Sequence, residues 1–296
     1  MKILGDYHTH TDNSDGKAPV EEMVRAAKDA GLREIAITDH GCDKWFGACN
    51  PKKYSMVKAL VEKSGEEFGV KTLFGVEANI TGTAGQIDFD CEGEYDNVDI
   101  VLCGVHRFVK SANIISLFSY FIPNWFSAMF HHWSKKRVAK NTEVVKRALT
   151  ENNIDVYVHP NRYFRVDVVE IAKVCAERNV LIELNTKKIN FRPIDFERMA
   201  ATGAKFIINS DAHTPRRVGA AAKVFDFLKL CDWKPEDIVN IYNTFERKDK
   251  TKSGIKIEKL SGEKGKDDVH SKSKKRDKRE KREKRKRDKK AKKSGK

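Results

Sequence analysis

Short runs rich in β-branched residues alternate along the chain with segments that have the apolar spacing of amphipathic helices. Such alternation is typical of parallel β/α folds, because each helix carries the chain back to the start of the next parallel strand. The sequence predicts seven strands, at residues 2–7, 34–38, 72–76, 98–103, 155–158, 180–184 and 205–209. Seven such units predict a parallel β/α architecture.

The segments between the predicted strands carry helix start and stop signals. Pro19 suits a first helical turn and Gly31 suits the position after a helix, so the first helix is predicted at residues 20–30. The other helices are predicted at about residues 52–68, 136–151, 167–178, 194–202, 216–230 and 235–245. The apolar pattern fades beyond residue 248, so we expect one folded domain over residues 1–248.

The positive charge of the chain is concentrated at one end. Residues 249–296 hold 23 Lys and Arg against 9 Asp and Glu, whereas residues 1–248 hold 35 against 34. A segment with so few apolar residues cannot bury a core, so we predict a disordered Lys/Arg-rich tail. Such a tail could bind nucleic-acid phosphates through counterion release, or it could simply be solvated. It has no aromatic residues for base stacking.

An insertion at about residues 108–135 is rich in aromatic and aliphatic residues. Its apolar stretch, residues 114–130, is near the lower length limit for a membrane span and is interrupted by Pro123. We therefore expect a lid, a partner surface or a pair of packed helices. A peripheral membrane contact is an alternative, but a transmembrane span is not expected.

The six cysteines are scattered and form no CxxC pair, so their spacing suggests no disulfide framework. The N-terminal residues include Asp6 and His8 where the apolar region of a secretion signal would lie. Both features favour a cytoplasmic protein.

Side chains that can ligate metal ions recur directly after the predicted strands. In an extended segment residues i and i+2 point to one face, so His8 and His10 can converge on one point. Imidazoles and carboxylates follow five further strands, namely Asp39 with His40, Glu77, His106, His159, and Asp211 with His213. In β/α barrels the carboxyl ends of the strands form the rim at which active sites lie. Each residue alone could be structural or a helix cap, but their shared position predicts a metal centre.

Six motifs taken together resemble the polymerase and histidinol phosphatase (PHP) superfamily of metal-dependent phosphoesterases. They are His8-Thr9-His10-Thr11 with Ser14-Asp15-Gly16, Ile37-Thr38-Asp39-His40-Gly41, Gly75-Val76-Glu77-Ala78-Asn79-Ile80, Gly104-Val105-His106, Val158-His159-Pro160 and Asn209-Ser210-Asp211-Ala212-His213-Thr214. The segment Gly85-Gln86-Ile87-Asp88 is similar to the trinuclear branch of this family. The resemblance implies a distorted seven-stranded (β/α)7 barrel, similar to a TIM barrel, over residues 1 to about 245.

The resemblance also implies which side chains hold metal ions. The first ion would be held by His8, His10, Glu77 and Asp211, the second by Asp15, His40 and His213, and the third by Glu77, His106 and His159. Glu77 would bridge two ions, and Asp12 competes with Asp15 for the second site. Asp39 is expected to orient a neighbouring ligand. Glu77, Asp211 and His213 are the candidate catalytic residues. Imidazoles and carboxylates without cysteine suit three divalent ions, Zn²⁺ or Mn²⁺, with Fe²⁺ as a further option.

The leading hypothesis from the sequence is hydrolysis of a phosphate-ester substrate by a metal-activated hydroxide. Arg107, Arg162 and Arg216 lie close in sequence to predicted ligands and are candidates for binding the substrate phosphate. Three alternatives stay open: a nuclease or nucleotidase whose basic tail binds the polyanion, an amidohydrolase, and a nucleic-acid-associated protein without activity. The Asp39-His40 motif and the count of seven strands speak against the amidohydrolase. The sequence leaves the substrate and the oligomeric state open.

Overall fold

Seven parallel strands form the centre of the computed structural model, which describes residues 1–89 and 98–246. The strands are β1 (Gly5–Asp6), β2 (Glu34–Ile37), β3 (Lys71–Asn79), β4 (Ile100–Gly104), β5 (Val156–Tyr157), β6 (Leu181–Asn185) and β7 (Phe206–Asn209). Each strand pairs in parallel with the next strand in the sequence, so the sheet follows chain order. The prediction of a seven-stranded, TIM-like β/α barrel is confirmed.

The first and last strands approach each other and nearly close the barrel. Thr9 and Ala212 form a parallel bridge just beyond the ends of β1 and β7. The backbone N–H of Tyr7 donates to Asn209 Oδ1 over 3.0 Å. Apolar side chains fill the interior of the barrel, among them Tyr7, Ala36, Ile100, Leu102, Val156, Val158 and Ile207. A second, larger core lies between the strands and the surrounding helices.

Eight α-helical segments are present in the described residues. They are α1 (Val20–Asp29), α2 (Tyr54–Phe68), α3 (Ile114–Ser116), α4 (Ile122–Met129), α5 (Lys135–Glu151), α6 (Val168–Arg178), α7 (Pro193–Ala200) and α8 (Ala222–Leu228). The helix predicted at residues 216–230 is divided. A 3-10 turn at Pro215–Arg217 precedes α8, and between them Gly219 takes a left-handed φ of 73° that helices do not contain.

The helix predicted at residues 235–245 is wrong. The structure has two short 3-10 turns there, Pro235–Asp237 and Val239–Ile241. The side chain of Asn240 explains the interruption, because it donates to the carbonyls of Gly5 and Ile208 over 2.9 and 2.7 Å. These bonds tie the segment to β1 and β7, so tertiary contacts override the local helical pattern.

The aromatic insertion forms a continuous helical segment. A π-helical turn, Leu117–Phe121, joins α3 to α4, and the side chain of Asn113 caps the start by accepting from the Ser116 N–H over 2.8 Å. The buried side chains of Asn124 and Asn141 exchange two hydrogen bonds of 2.8 Å, which hold the segment on α5. The insertion is therefore a helix packed on a neighbour. Within the described residues, no helix is both long and apolar enough to cross a membrane.

One cysteine departs from the expectation drawn from the spacing. Cys42 is disulfide-bonded, whereas Cys49, Cys103, Cys175 and Cys231 carry free thiols. The spacing of the cysteines did not indicate this bond, because it does not show which sulfur atoms a fold brings together. The predicted tail at residues 249–296 and the predicted domain boundary at residue 248 lie outside the described residues.

Candidate metal centre

The nine predicted metal-ligating side chains meet at one end of the barrel. They come from the carboxyl ends of six strands and from the loop after β1, and they are His8, His10, Asp15, His40, Glu77, His106, His159, Asp211 and His213. The imidazole rings are neighbours, with ring centroids 5.0 Å apart for His8 and His10 and 4.3 Å apart for His10 and His213. Seven of the nine residues are buried, and Asp15 and His213 are partly buried.

Glu77, on β3, lies in the middle of this cluster and is 1% exposed. Its Oε1 atom is 2.8 Å from His159 Nε2 and 3.1 Å from His106 Nε2. Its Oε2 atom is 2.7 Å from His40 Nδ1 and 3.4 Å from His10 Nε2. The two oxygens of one carboxylate thus face different imidazoles, which is the arrangement that a bridging carboxylate requires.

Three groups of side chains place their ligand atoms within 4.8 Å of one another. The groups are His8, His10 and Asp211, then His10, Asp15, His40 and His213, then His40, Glu77 and His106. His10 and His40 each belong to two groups, which the sequence did not indicate. His159 lies next to the third group through its contact with Glu77.

The structure distinguishes Asp15 from its competitor Asp12. Asp15 Oδ2 is 3.2 Å from His40 Nε2, and its Oδ1 is 3.3 Å from His213 Nε2, whereas Asp12 is exposed. Asp39 holds the loop that carries Asp15. Its carboxylate accepts hydrogen bonds from the N–H and hydroxyl of Thr11 over 2.7 and 2.6 Å. Asp39 therefore positions a neighbouring group without facing the cluster itself.

Glu183, on β6, is a buried carboxylate beside the cluster that the sequence motifs did not indicate. It is fully buried, and its Oε1 lies 2.6 Å from His8 Nδ1 while its Oε2 accepts from the backbone N–H of His159 over 2.8 Å. A carboxylate at His8 Nδ1 favours the proton on that nitrogen and leaves Nε2 as the ligand atom, which faces Glu77 across 3.3 Å. A charged residue within an otherwise apolar strand was the signal that could have identified Glu183.

Two cations lie beside Asp211. The Arg162 guanidinium donates to Asp211 Oδ2 over 2.6 Å, and Lys187 Nζ donates to Oδ1 over 2.9 Å. Lys187, which follows β6, is also 3.0 Å from His213 Nδ1 and was not predicted. The structure therefore brings one of the three predicted arginines to the cluster.

The other two predicted arginines are exposed. The guanidinium of Arg107 lies 5.5 Å from the ring centroid of Tyr163, whose ring also neighbours that of His106 at 5.7 Å. Within the described residues, Arg216 makes no hydrogen bond or ion pair with the cluster. Arg107 thus lies at the edge of the site, whereas Arg216 makes no such contact with it.

Two residues of the cluster have left-handed backbone conformations. His159 has a φ of 34° and Asp211 a φ of 52°. Such values cost a residue other than glycine on the order of 1 kcal/mol or more, so surrounding contacts must hold them. The bond from the His159 N–H to Glu183 and the two cations on Asp211 provide these contacts. These polar contacts therefore hold the two side chains in the orientation that faces the cluster.

The electrostatics of the cluster favour ionised carboxylates. Burial opposes protonation of His8, but Glu183 and Glu77 raise its pKa well above the ordinary value. Burial alone would raise the pKa of Glu77, yet His106 and His8 hold that pKa well below its usual range. Burial also lowers the pKa of His106 to about 3, against the attraction of Glu77. An ionised Glu77 and a neutral His106 have the protonation states that metal ligands require, and His8 would give up its proton when an ion binds.

Several buried polar atoms of the cluster make no well-aligned hydrogen bond within the described residues. They are His8 Nε2, His10 Nδ1 and Nε2, Asp15 Oδ1, His40 Nδ1, Glu77 Oε2 and His106 Nδ1. A buried polar atom without a partner costs about 1–3 kcal/mol, so a cluster of them indicates a bound group. Imidazole nitrogens and carboxylate oxygens form the ligand set of Zn²⁺ and Mn²⁺. The residues present therefore fit divalent metal ions.

The fold and the site together define a β/α barrel protein with a buried histidine–carboxylate centre at the carboxyl rim of its strands. Residues 6–187 match the model of the PHP domain, and the chain belongs to the PHP domain family. The family membership that the six motifs predicted is confirmed.

Similar known proteins align with this chain over most of its length. A protein of Shewanella loihica described as "Probable phosphatase" is 28% identical over 251 residues, which are 81% of this chain and 90% of the relative. "Probable phosphatase YcdX" of Escherichia coli is 25% identical over 248 residues, covering 80% and 89%. The crystal structure of histidinol phosphate phosphatase from Lactococcus lactis, in complex with zinc, L-histidinol and phosphate, has a TM-score of 0.52 and 17% identity, and the match covers 77% of this chain and 92% of that one. This last likeness shows a shared fold.

Proposed function

We propose that this chain is a metal-dependent hydrolase of phosphate esters. The observation that carries the proposal is the buried ring of imidazoles around Glu77, in which several ring nitrogens and carboxylate oxygens lie close together without well-aligned hydrogen bonds. The relatives described as probable phosphatases support it, as does the phosphate bound with zinc in the Lactococcus lactis protein.

The proposal assigns three divalent ions, Zn²⁺ or Mn²⁺, with Fe²⁺ as a further option, to the three groups of ligands. The residues that would hold them are His8, His10, Asp15, His40, Glu77, His106, His159, Asp211 and His213. Glu77 would bridge, because its two oxygens face different imidazoles. Glu77, Asp211 and His213 are assigned to the reacting centre, and Glu183 to the positioning of His8.

Bound divalent ions supply a hydroxide near neutral pH and offset the charge of the phosphoryl oxygens. The chain adds its own cations at the same place. Arg162 offers a planar group that can donate two hydrogen bonds to one phosphate, and Lys187 offers a mobile point charge. Both side chains contact Asp211, whose carboxylate holds them at the edge of the cluster. We assign them to binding of the substrate phosphate.

The test is to remove metal with a chelator, return Zn²⁺ or Mn²⁺, and measure turnover of a panel of substrates. The panel includes phosphate monoesters, nucleotides, single-stranded DNA and RNA, and amides. We expect hydrolysis of phosphate esters that is lost without metal and restored by its return. Turnover of nucleic acids alone would favour the nuclease alternative suggested by the basic tail. Hydrolysis of amides alone, or of nothing, would refute the proposal.

The roles of the two cations can be tested separately. A charge-assisted hydrogen bond is worth about 1.5–3 kcal/mol, so Arg162→Ala and Lys187→Ala should each lower kcat/KM by roughly tenfold to a hundredfold. Arg192→Ala is the matched control, because Arg192 is exposed and pairs with Asp195 on α7. Arg107→Ala tests a predicted candidate at the edge of the site. Unchanged kcat/KM in the Arg162 and Lys187 variants would contradict the assignment.

A further inference from the structure

The helical segment of the insertion has one strongly apolar, exposed face, which we call the apolar face. It consists of Ile114, Ile115, Phe118, Phe126, Met129 and Phe130, which are 55–71% exposed. The opposite side is buried against the barrel and α5 through residues such as Tyr120, Phe121 and Asn124. Folding of the domain therefore uses one side of the helix and leaves the more apolar side in water.

Aromatic residues from two loops extend the apolar face toward the metal centre. Trp45, Phe46 and Phe108 are 53–71% exposed, and the backbone N–H of Trp45 donates to the Phe108 carbonyl over 2.8 Å. The ring centroids of Trp45 and Trp125 are 6.4 Å apart, which joins the loops to the helix. Contiguous apolar surface of this kind on a single chain marks an interaction site.

The charge around the apolar face is mostly positive. Residues 100–142 contain no Asp or Glu and six basic residues, which are Arg107, Lys110, Lys135, Lys136, Arg137 and Lys140. Arg137 and Lys140 reach the helix itself, since both donate to the Ser119 carbonyl over 3.3 and 2.7 Å. Lys110 pairs with Asp43 across 3.6 Å. Among the residues that the structure places, the cations of α5 from Lys135 to Lys140 have no carboxylate partner within 4.0 Å.

We propose that the apolar face attaches this protein peripherally to the surface of an anionic lipid membrane. A helix with Phe and Ile on one side and cations beside it has the composition of interfacial membrane helices, which bury the apolar side among acyl chains while the cations meet lipid headgroups. Indole rings near such a helix suit the same interface. A net charge of +14 in residues 249–296 would add attraction to the same surface, and stable attachment commonly needs two such signals.

The charge pattern disfavours other occupants of the apolar face. A symmetric dimer through this face would bring the same surface patches together and so set its cations against each other. A single-stranded nucleic acid would use the cations and stack on aromatic rings, but it would leave the side chains of Ile114, Ile115 and Met129 in water. An anionic membrane satisfies both the aliphatic surface and the cations.

The test uses the full-length protein and vesicles of phosphatidylcholine, with or without about one-third phosphatidylserine. Lipids with brominated acyl chains quench tryptophan that enters the bilayer, and Trp45 and Trp125 adjoin the apolar face. The tail contains no tryptophan, so its electrostatic adhesion alone gives no quenching. We expect quenching by the anionic vesicles that persists after salt has weakened the electrostatic attraction.

The decisive variant combines Phe118→Ser, Phe126→Ser and Phe130→Ser. It should lose at least about tenfold in vesicle partitioning and most of the quenching, because three large apolar side chains are removed. Met56→Ser with Leu230→Ser is the matched control, since these residues are 52% and 70% exposed outside the apolar face. Unfolding temperature and turnover of a soluble substrate report whether each variant folds.

If the triple variant fails to fold, Ile114→Ser with Ile115→Ser repeats the test at the start of the helix, where both side chains are exposed. Three results would overturn the proposal. They are no quenching of the wild-type protein by anionic vesicles, equal quenching of the wild-type protein and the folded variants, and a wild-type dimer without vesicle binding that the same substitutions convert to a monomer.

Discussion

Glu183→Gln is expected to weaken metal binding while the barrel stays folded. The carboxylate of Glu183 meets four donors, which are His8 Nδ1, the His159 N–H, and the amides of Asn185 and Asn209, over 2.6, 2.8, 2.9 and 3.1 Å. Glutamine keeps the shape but has one acceptor oxygen, so the donors on one side face an NH₂ group. Loss of such a positioning partner typically lowers metal affinity by about 10–100-fold, or about 1.4–2.7 kcal/mol.

The measurement is a metal titration of the variant against a competing chelator, followed by activity as a function of metal concentration. Excess metal should restore much of the turnover, because the direct ligands remain. Glu34→Gln is the matched control. Glu34 is 1% exposed and accepts from the Tyr7 hydroxyl over 2.6 Å, but it lies at the start of β2, at the opposite end of that strand from His40. The Glu34→Gln substitution should lower the stability of the fold and leave metal affinity unchanged. Wild-type affinity in Glu183→Gln, or an equal loss in Glu34→Gln, would refute the reasoning.

Three further predictions concern the cluster itself. Glu77→Gln should abolish turnover and lower the metal content measured by elemental analysis, and an active variant would contradict the bridging role. Asp15→Asn should lower metal affinity, whereas Asp12→Asn should not, since only Asp15 meets imidazoles. Burial opposes protonation of His40, but Glu77 and Asp15 raise its pKa to about 9. The charged His40 therefore stabilises metal-free protein fully below about pH 6.5, and thermal melts should show this stability declining as the pH rises toward 9. A flat or rising profile would contradict it.

Much of the candidate site could be predicted because of how parallel strands present their ends. His40, His106 and His159 each follow a short apolar run, and in a barrel those positions share one rim whatever the loops between them do. Local patterns also indicated most helices. Residues 235–245 were an exception, because Asn240 bonds to two distant strands and thereby interrupts the helix.

The sequence by itself determined the barrel class, the strands that carry the candidate ligands and the family, because these follow from periodicity and from motifs a few residues long. Only the tertiary structure decided that Asp15 and not Asp12 faces the imidazoles, that Glu183 supports His8, and that Lys187 joins Arg162 beside Asp211. It also decided that the insertion leaves its apolar side exposed. The physical reason is that these facts depend on contacts between residues far apart in the chain. Local sequence patterns do not specify such contacts, which form only when the barrel closes.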